Sequence, residues 1–140
     1  MASARDPLSS EVIALFAKIT TRYSREYEAA AAQHDITPQQ VKVLLALDET
    51  PLPMRRIAER VGAEPSNLTG VIDRLQARGL VERRPDPNDR RVKLLATTDD
   101  GKAAAQDLQQ RLRFASDPLV ALGRDQRREL RDLLRLMADS

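Results

Sequence analysis

The sequence lacks cysteine and tryptophan, and it contains one histidine among 140 residues. The missing cysteine excludes disulfides, thiolate metal sites and a thiol-based peroxide sensor. A single histidine is too little for an ordinary transition-metal site, so we predict neither a metal nor a cofactor. Aromatic residues make up only 3% of the chain. This disfavours a protein that stacks single-stranded bases on aromatic side chains.

Long apolar runs are also missing. No stretch approaches membrane-spanning length, and Met1–Asp6 has no apolar core of the signal-peptide type. We therefore expect a soluble cytoplasmic protein that makes no membrane contact. The length fits a single subunit, residues 1–140, with one core.

Sequence motifs of catalysis are absent as well. The chain has no Gly-x-Ser-x-Gly, no glycine-rich phosphate loop and no His-Glu metal motif. A Ser-His-Asp arrangement would have to use His34, the sole histidine. We predict no catalytic residues and no enzyme. A helical interaction protein whose basic hairpin binds an acidic protein surface remains an alternative to a nucleic-acid-binding protein.

Charge is distributed unevenly. The net charge is +2, but residues 52–98 hold ten Arg or Lys against six Asp or Glu. A basic segment inside a near-neutral chain favours a polyanionic partner. A solvated arginine-rich surface explains the same excess equally well, so charge alone leaves both interpretations open.

Capping residues and apolar spacing predict two helices in the first third of the chain. Asp6 or Ser9 can cap the first, which should fade near His34. Thr37 caps the second, and Gln40 stands where a capping box requires Glu or Gln. The apolar residues of the first helix recur at helical spacing; they are Val12, Leu15, Phe16, Ile19, Tyr23 and Tyr27.

Two short helices joined by a glycine-containing turn come next. Two prolines within residues 48–53 end the second helix. We expect a third helix over Met54–Val61 that ends at Gly62, and a fourth from Pro65 to near Gly79. The apolar face of the fourth helix would comprise Leu68, Val71, Ile72 and Leu75. This order is the helix-turn-helix pattern.

A basic hairpin and two further helices complete the prediction. Segments 80–84 and 91–97 have strand composition and flank a stretch of turn formers and charge. Thr98 caps a fifth helix that Pro118 should bend or break, and Gly123 separates it from the last helix. The stripe of the fifth helix would contain Leu108, Leu112, Ala115, Leu119 and Leu122. The predicted fold is mainly α with a small β-hairpin wing, in the winged-helix order.

This ordered set resembles the MarR family of bacterial transcriptional regulators. The matching segments are Thr37–Leu44, Ile57–Gly62, Pro65–Leu75, Arg78–Arg83 and the wing signature Asp89-Arg90-Arg91, followed by the return into Thr98–Gly101. The resemblance implies a winged helix-turn-helix over residues 37–98 and dimerisation helices over 6–34 and 99–138. It also implies a homodimer that binds a pseudo-palindromic double-stranded operator, more often as repressor than activator. A small-molecule effector would release this homodimer from the operator.

Two residues depart from the family pattern. Glu64 precedes Pro65 where the family often has Asp or Ser, which are better caps. Thr97 stands where the family usually has leucine, so we expect looser packing on the inner side of the wing.

The start of the fourth helix is the predicted site of base contact. Its polar residues project away from the apolar face, and a recognition helix meets base edges with its first turns. These residues are Ser66, Asn67, Thr69 and Gly70. The alternative is that Ser66 and Asn67 only shape the helix start.

For the wing, the resemblance implies insertion into the minor groove. Asp89 would orient Arg91, the inserting residue, with Arg90 beside it, and narrow minor grooves attract arginine. A solvated charged turn is the alternative. The hairpin stem residues Arg83, Arg84 and Lys93 are expected to contact phosphates.

Several other residues keep two interpretations. Arg74 can reach DNA or pair within the fold, whereas we interpret Arg78 as an ordinary surface residue. Arg55 and Arg56 fit a phosphate contact or plain exposure. Tyr23 and His34 are candidate effector-binding residues, with a surface or packing role as the alternative.

Overall fold

A long helix, α1, covers Pro7–Gln33 in the computed structural model, which describes residues 6–47 and 49–140. Of the two candidate caps, Asp6 is the one that caps this helix, because its carboxylate accepts the N–H of Ser9 at 2.9 Å. The helix ends at Gln33, and His34 is its C-cap. Residues 1–5, which belong to the start without a predicted signal-peptide core, and Asp48 of the predicted helix stop lie outside the described ranges.

The second helix, α2, covers Pro38–Ala46 and begins with the predicted capping box. The N–H of Gln40 donates to Thr37 Oγ1 at 3.2 Å, and the N–H of Thr37 donates to Gln40 Oε1 at 2.8 Å. Two otherwise unsatisfied amide groups are thereby paired.

Helices α3, Met54–Val61, and α4, Pro65–Ala77, form the helix-turn-helix. Gly62 ends α3 in the left-handed conformation, with φ of 69°. Glu64 makes no side-chain cap to α4, in line with its departure from the family pattern. The apolar face of α4 buries Leu68, Ile72 and Leu75, whereas Val71 is only half-buried.

The wing is the predicted hairpin, with strands β2, Val81–Pro85, and β3, Lys93–Thr97. A third strand, β1, covers only Leu52–Pro53 and pairs antiparallel with β3, giving the order β1-β3-β2. The sequence did not indicate β1. A two-residue strand beside prolines has no periodicity, and its existence depends on β3 more than forty residues away.

The fifth helix, α5, covers Asp99–Arg111 and corrects the predicted boundary. We expected its stripe to run to Leu122 with a bend at Pro118, but the helix stops seven residues before that proline. Glu26 of α1 explains the early end, since its carboxylate accepts the N–H groups of Phe114 and Ala115 at 2.8 Å each. Turns follow up to helix α6, Arg124–Ala138.

A glycine fixes the close approach of α5 to the hairpin. A Cβ on Gly101 would lie 1.9 Å from the carbonyl oxygen of Leu80, so no side chain fits there. Thr98 joins the same contact, because its hydroxyl donates to the carbonyl of Gly79 at 2.6 Å. The first turn of α5 is thus seated on the loop between α4 and β2.

One core cluster joins the end of α1 with α2, α3, α4, α5 and the wing strands, while the apolar faces of the first half of α1 and of α6 stay uncovered in the single chain. No residue of α6 is buried. The large exposed apolar residues of these helices are Leu8, Val12, Ile13, Leu15, Phe16, Ile19, Leu133, Leu134, Leu136 and Met137. None of the described helices is long and apolar enough to cross a membrane.

Candidate nucleic-acid interface

The four polar positions predicted for base contact form one exposed surface on α4. Ser66, Asn67, Thr69 and Gly70 are exposed, whereas Leu68 between them is fully buried. The three polar side chains make no hydrogen bond within the described part of the chain. Their donors and acceptors are therefore available to a partner.

The wing tip is a tight, internally bonded turn. The N–H of Asp86 donates to the carbonyl of Val92, and the N–H of Val92 donates to the carbonyl of Asp89, both at 3.0 Å. The Asp89 carboxylate accepts the backbone N–H of Arg91 at 3.1 Å. Asp89 thus fixes the backbone of Arg91 rather than its guanidinium. The exposed side chains of Arg90 and Arg91 make no ion pair within residues 6–47 and 49–140.

On the wing stem, the three predicted phosphate contacts differ in their partners. Arg83 donates to Asp73 of α4 at 2.7 Å and also to the side chain of Gln76. Arg84 donates to Glu82 on its own strand at 2.6 Å. Lys93 is exposed and has no ion pair among the described residues. Arg83 therefore ties the wing to α4, a role that the sequence did not indicate.

The arginines near the end of α4 also have separate roles. Arg78, which we interpreted as an ordinary surface residue, donates to the Asp35 carboxylate at 3.2 Å and to the His34 carbonyl at 3.0 Å. It joins α4 to the turn after α1. Arg74 is exposed and pairs with no described residue, so it remains free for an external ligand.

In the first turn of α3, only one of the two arginines has an ion-pair partner among the described residues. Arg56 lies 3.5 Å from Glu59, a weak exposed contact. Arg55 lines a groove with Asn67 between α3 and α4. Arg55 is thus adjacent to the predicted base-contacting surface.

The two candidate effector residues sit in different local clusters. The ring of Tyr23 lies 5.0 Å from that of Tyr27, and Lys42 Nζ lies 5.8 and 5.3 Å from the two ring centres. Burial, followed by a hydrogen bond with Tyr23, raises the pKa of Tyr27 to about 12. His34 Nε2 lies 2.6 Å from an Asp107 carboxylate oxygen.

A cavity of about 560 Å³ lies elsewhere, between the end of α2, the end of β3 and the outer face of α5. Neither Tyr23 nor His34 lines it. Its polar lining consists of Glu49, Thr50, Thr97, Lys102, Gln106 and Gln109. Thr97 is buried and its hydroxyl makes no hydrogen bond among the described residues. The departure of Thr97 from the family pattern was the one sequence signal for this cavity.

No group of three or more His, Cys, Asp or Glu within the described ranges could hold a metal ion. The arrangement instead combines a helix-turn-helix, an adjacent two-stranded hairpin and unpaired arginines at the hairpin tip. These features define a winged helix-turn-helix protein.

Comparison with known proteins identifies the family. The MarR family pattern matches residues 34–92. The HTH-type transcriptional regulator YcgE of Bacillus subtilis (strain 168) is 30% identical over 107 residues, which cover 76% of this chain and 70% of YcgE. The chain belongs to the MarR family of transcriptional regulators. Members of this family regulate transcription and are not enzymes.

Solved structures of CouR agree with this assignment. CouR from Rhodococcus jostii RHA1, bound to p-coumaroyl-CoA, has a TM-score of 0.75 and 26% identity, and the match covers 96% of each chain. The transcriptional repressor CouR bound to a 23-mer DNA duplex has a TM-score of 0.68 and 29% identity, covering 98% of this chain and 99% of CouR.

Proposed function

We propose that this protein is a homodimeric repressor that binds a pseudo-palindromic operator. Binding of a small molecule would release the protein from that operator. The observation that carries the proposal is the juxtaposition of two unpaired surfaces. The exposed polar start of α4 fits a recognition helix, and the exposed guanidinium groups of Arg90 and Arg91 lie at the tip of the wing, whose stem Arg83 ties to α4. The DNA-bound structure of the similar protein CouR supports this assignment.

The uncovered apolar faces of α1 and α6 support the dimer. Phe16 and Ile19 are each 52% exposed in the single chain, and Met137 is 60% exposed. Contiguous apolar surface of this kind marks an interaction site. A twofold dimer would place two α4 helices roughly 34–36 Å apart, one turn of DNA.

The cavity beside Thr97 supports release by an effector. It lies where α5 meets α2 and β3, so a bound molecule would contact both a terminal helix and the winged helix. A ligand that fits only one relative position of these elements shifts the dimer toward that position. The similar protein CouR binds p-coumaroyl-CoA.

Selection of bound duplexes from random or genomic DNA tests the proposal. We expect enrichment of a pseudo-palindrome, with affinity that falls steeply with salt because phosphate contacts release counterions. If the basic hairpin instead binds an acidic protein surface, that binding would also weaken with salt, but the selection would enrich no particular duplex. If no duplex sequence is enriched at low or moderate salt, the operator-binding function is wrong.

A further inference from the structure

We infer that a groove at the far end of α4 binds one backbone phosphate of the operator, an inference that rests on the proposed function. The groove has a volume of about 440 Å³ and lies between the turn after α1, the start of α2 and the end of α4. Its walls include Asp35, Ile36, Thr37, Gln40, Arg74 and Arg78. The predicted base-contacting residues all lie at the opposite end of α4.

Gln40 gives this groove a fixed hydrogen-bond donor. The residue is only 5% exposed, and its Oε1 accepts the N–H of Thr37, which locks the orientation of the amide. The amide nitrogen Nε2 has no partner within residues 6–47 and 49–140. No fully enclosed side-chain nitrogen or oxygen in those ranges lacks a partner, so Nε2 must open onto the groove. A buried glutamine with a free donor is poised for an acceptor.

Arg74 gives the groove a free positive charge. It pairs with no described residue, whereas the one acidic lining residue, Asp35, is already paired with Arg78 at 3.2 Å. The first turn of α2 contains no acidic residue, so the positive end of its dipole also faces the groove uncompensated. The available groups are donors or cations, and the ligand that fits them is an anion.

The position of Arg74 on α4 identifies the anion as a DNA phosphate. Arg74 follows Gly70 by one helical turn and Asn67 by two, so it lies on the same flank as the predicted reading surface. When the start of α4 enters the major groove, its far end reaches the strand that borders the groove. A phosphodiester there would be held between the Arg74 guanidinium and Gln40 Nε2.

A substitution of Gln40 to Glu tests the site without removing the helix cap. Glutamate at this position still accepts the Thr37 N–H and completes a capping box. It loses the donor, however, and places a carboxylate where the phosphate would lie. We expect Q40E to weaken operator binding about tenfold, because a charged hydrogen bond is lost and a repulsion added.

Gln39→Glu is the matched control, since Gln39 is exposed on the same helical turn and does not line the groove. We expect Q39E to bind within about twofold of wild type, and Arg74→Ala to lower the salt slope by about 1. In the R74A background, Q40E should have a smaller effect than in wild type, since both would act on one phosphate. Equal affinities of Q40E and Q39E, or an unchanged salt slope in R74A, would overturn the site.

Two further measurements distinguish an operator phosphate from free phosphate, and a failure of this groove from a failure of operator binding as a whole. A single methylphosphonate substitution, scanned along the operator flank, should weaken wild type at one position per half-site and leave R74A unaffected at that position. If inorganic phosphate instead protects wild type, but not Q40E, from heating without DNA, the groove holds a free anion and the operator assignment is wrong. If wild type binds no duplex at all, the proposed function fails rather than this site alone.

Discussion

Among single residues, the wing arginines carry the sharpest prediction. The family resemblance implied that Asp89 orients Arg91, and in the structure the Asp89 carboxylate accepts the backbone N–H of Arg91. The turn is therefore set by the backbone, while the guanidinium remains unpaired among the described residues. Because the turn is already fixed, only the side chain of Arg91, and not its backbone, loses conformational freedom when it enters a minor groove.

We expect Arg91→Ala to weaken operator binding by about 1–3 kcal/mol, the usual cost of removing a groove contact. The measurement is a titration of operator duplex at several salt concentrations. Arg128→Ala, on exposed α6, removes the same charge far from the wing and serves as the control. An R91A protein that binds like wild type at every salt concentration would exclude a groove contact for Arg91.

A second residue-scale prediction concerns Asp107, which lies between Arg111 and His34. Hydrogen bonds from Arg111 at 2.7 Å and from His34 hold the pKa of Asp107 below its ordinary value of 3.8. The folded state thus favours the carboxylate. Its contribution to stability is present above pH 3.8 and is lost as the pH falls through the lowered pKa.

Asp107→Asn should therefore lower the Tm at pH 6, and the difference from wild type should shrink toward pH 3. Thermal unfolding followed by circular dichroism measures both. Asp117→Asn is the control, because the Asp117 side chain has no partner within the described ranges. A destabilisation by D107N that is equally large at pH 6 and pH 3 would contradict a role for the charged carboxylate.

At the scale of elements, local chemistry made the helix starts predictable. Asp6 and Thr37 each accept the backbone N–H of the residue three positions later. Such a local contact can be predicted from the sequence. The end of α5 was not predictable, because it depends on Glu26, which lies 88 residues before Phe114. Strand β1 was not predicted for the same reason, because it forms by pairing with the distant strand β3.

The residues of the candidate site likewise fall into those whose exposure the sequence predicts and those whose partners it does not. The exposed face of α4 follows from helical periodicity, so its polar residues were predicted correctly as surface positions. Which arginines are free was not predictable, since the partners of Arg78 and Arg83 come from other elements. Whether the predicted residues touch DNA stays a prediction.

The contact of Arg83 with Asp73 leads to a prediction about the wing as an element. The ion pair between Arg83 of β2 and Asp73 of α4 would fix the angle between the wing and α4. A contact of Arg83 with a phosphate would act through charge alone. Asp73→Asn separates these roles because the two predictions have opposite signs. If Arg83 positions the wing, D73N weakens operator binding severalfold; if Arg83 contacts phosphate, removing Asp73 strengthens binding.

The double variant D73N/R83A completes that test. We expect it to bind like R83A alone, since both substitutions break one contact. Additive losses would contradict a shared positioning role. Salt titration adds an independent criterion, because a lost phosphate contact lowers the slope by about 1 and a lost positioning contact leaves it unchanged.

For the whole molecule, the dimer decides whether two reading surfaces act together. The division into a DNA-binding region, 37–98, and dimerisation helices, 6–34 and 99–138, stays a prediction. The uncovered apolar residues nevertheless fall outside 37–98, on α1, on α6 and in the turns before α6. A partner that covers them would be held apart from the exposed polar start of α4.

Phe16→Asp tests this arrangement by placing a charge in the centre of the apolar face of α1. Burying an unpaired carboxylate in a dimer interface is costly, so we expect a monomer in sedimentation analysis. Operator affinity should fall by about 100-fold or more, because the second half-site no longer binds intramolecularly. Thr21→Asp, on the opposite side of the same helix, adds an equal charge and should remain dimeric. The apolar face belongs to some other contact if F16D stays dimeric, and the operator needs no dimer if monomeric F16D keeps full affinity.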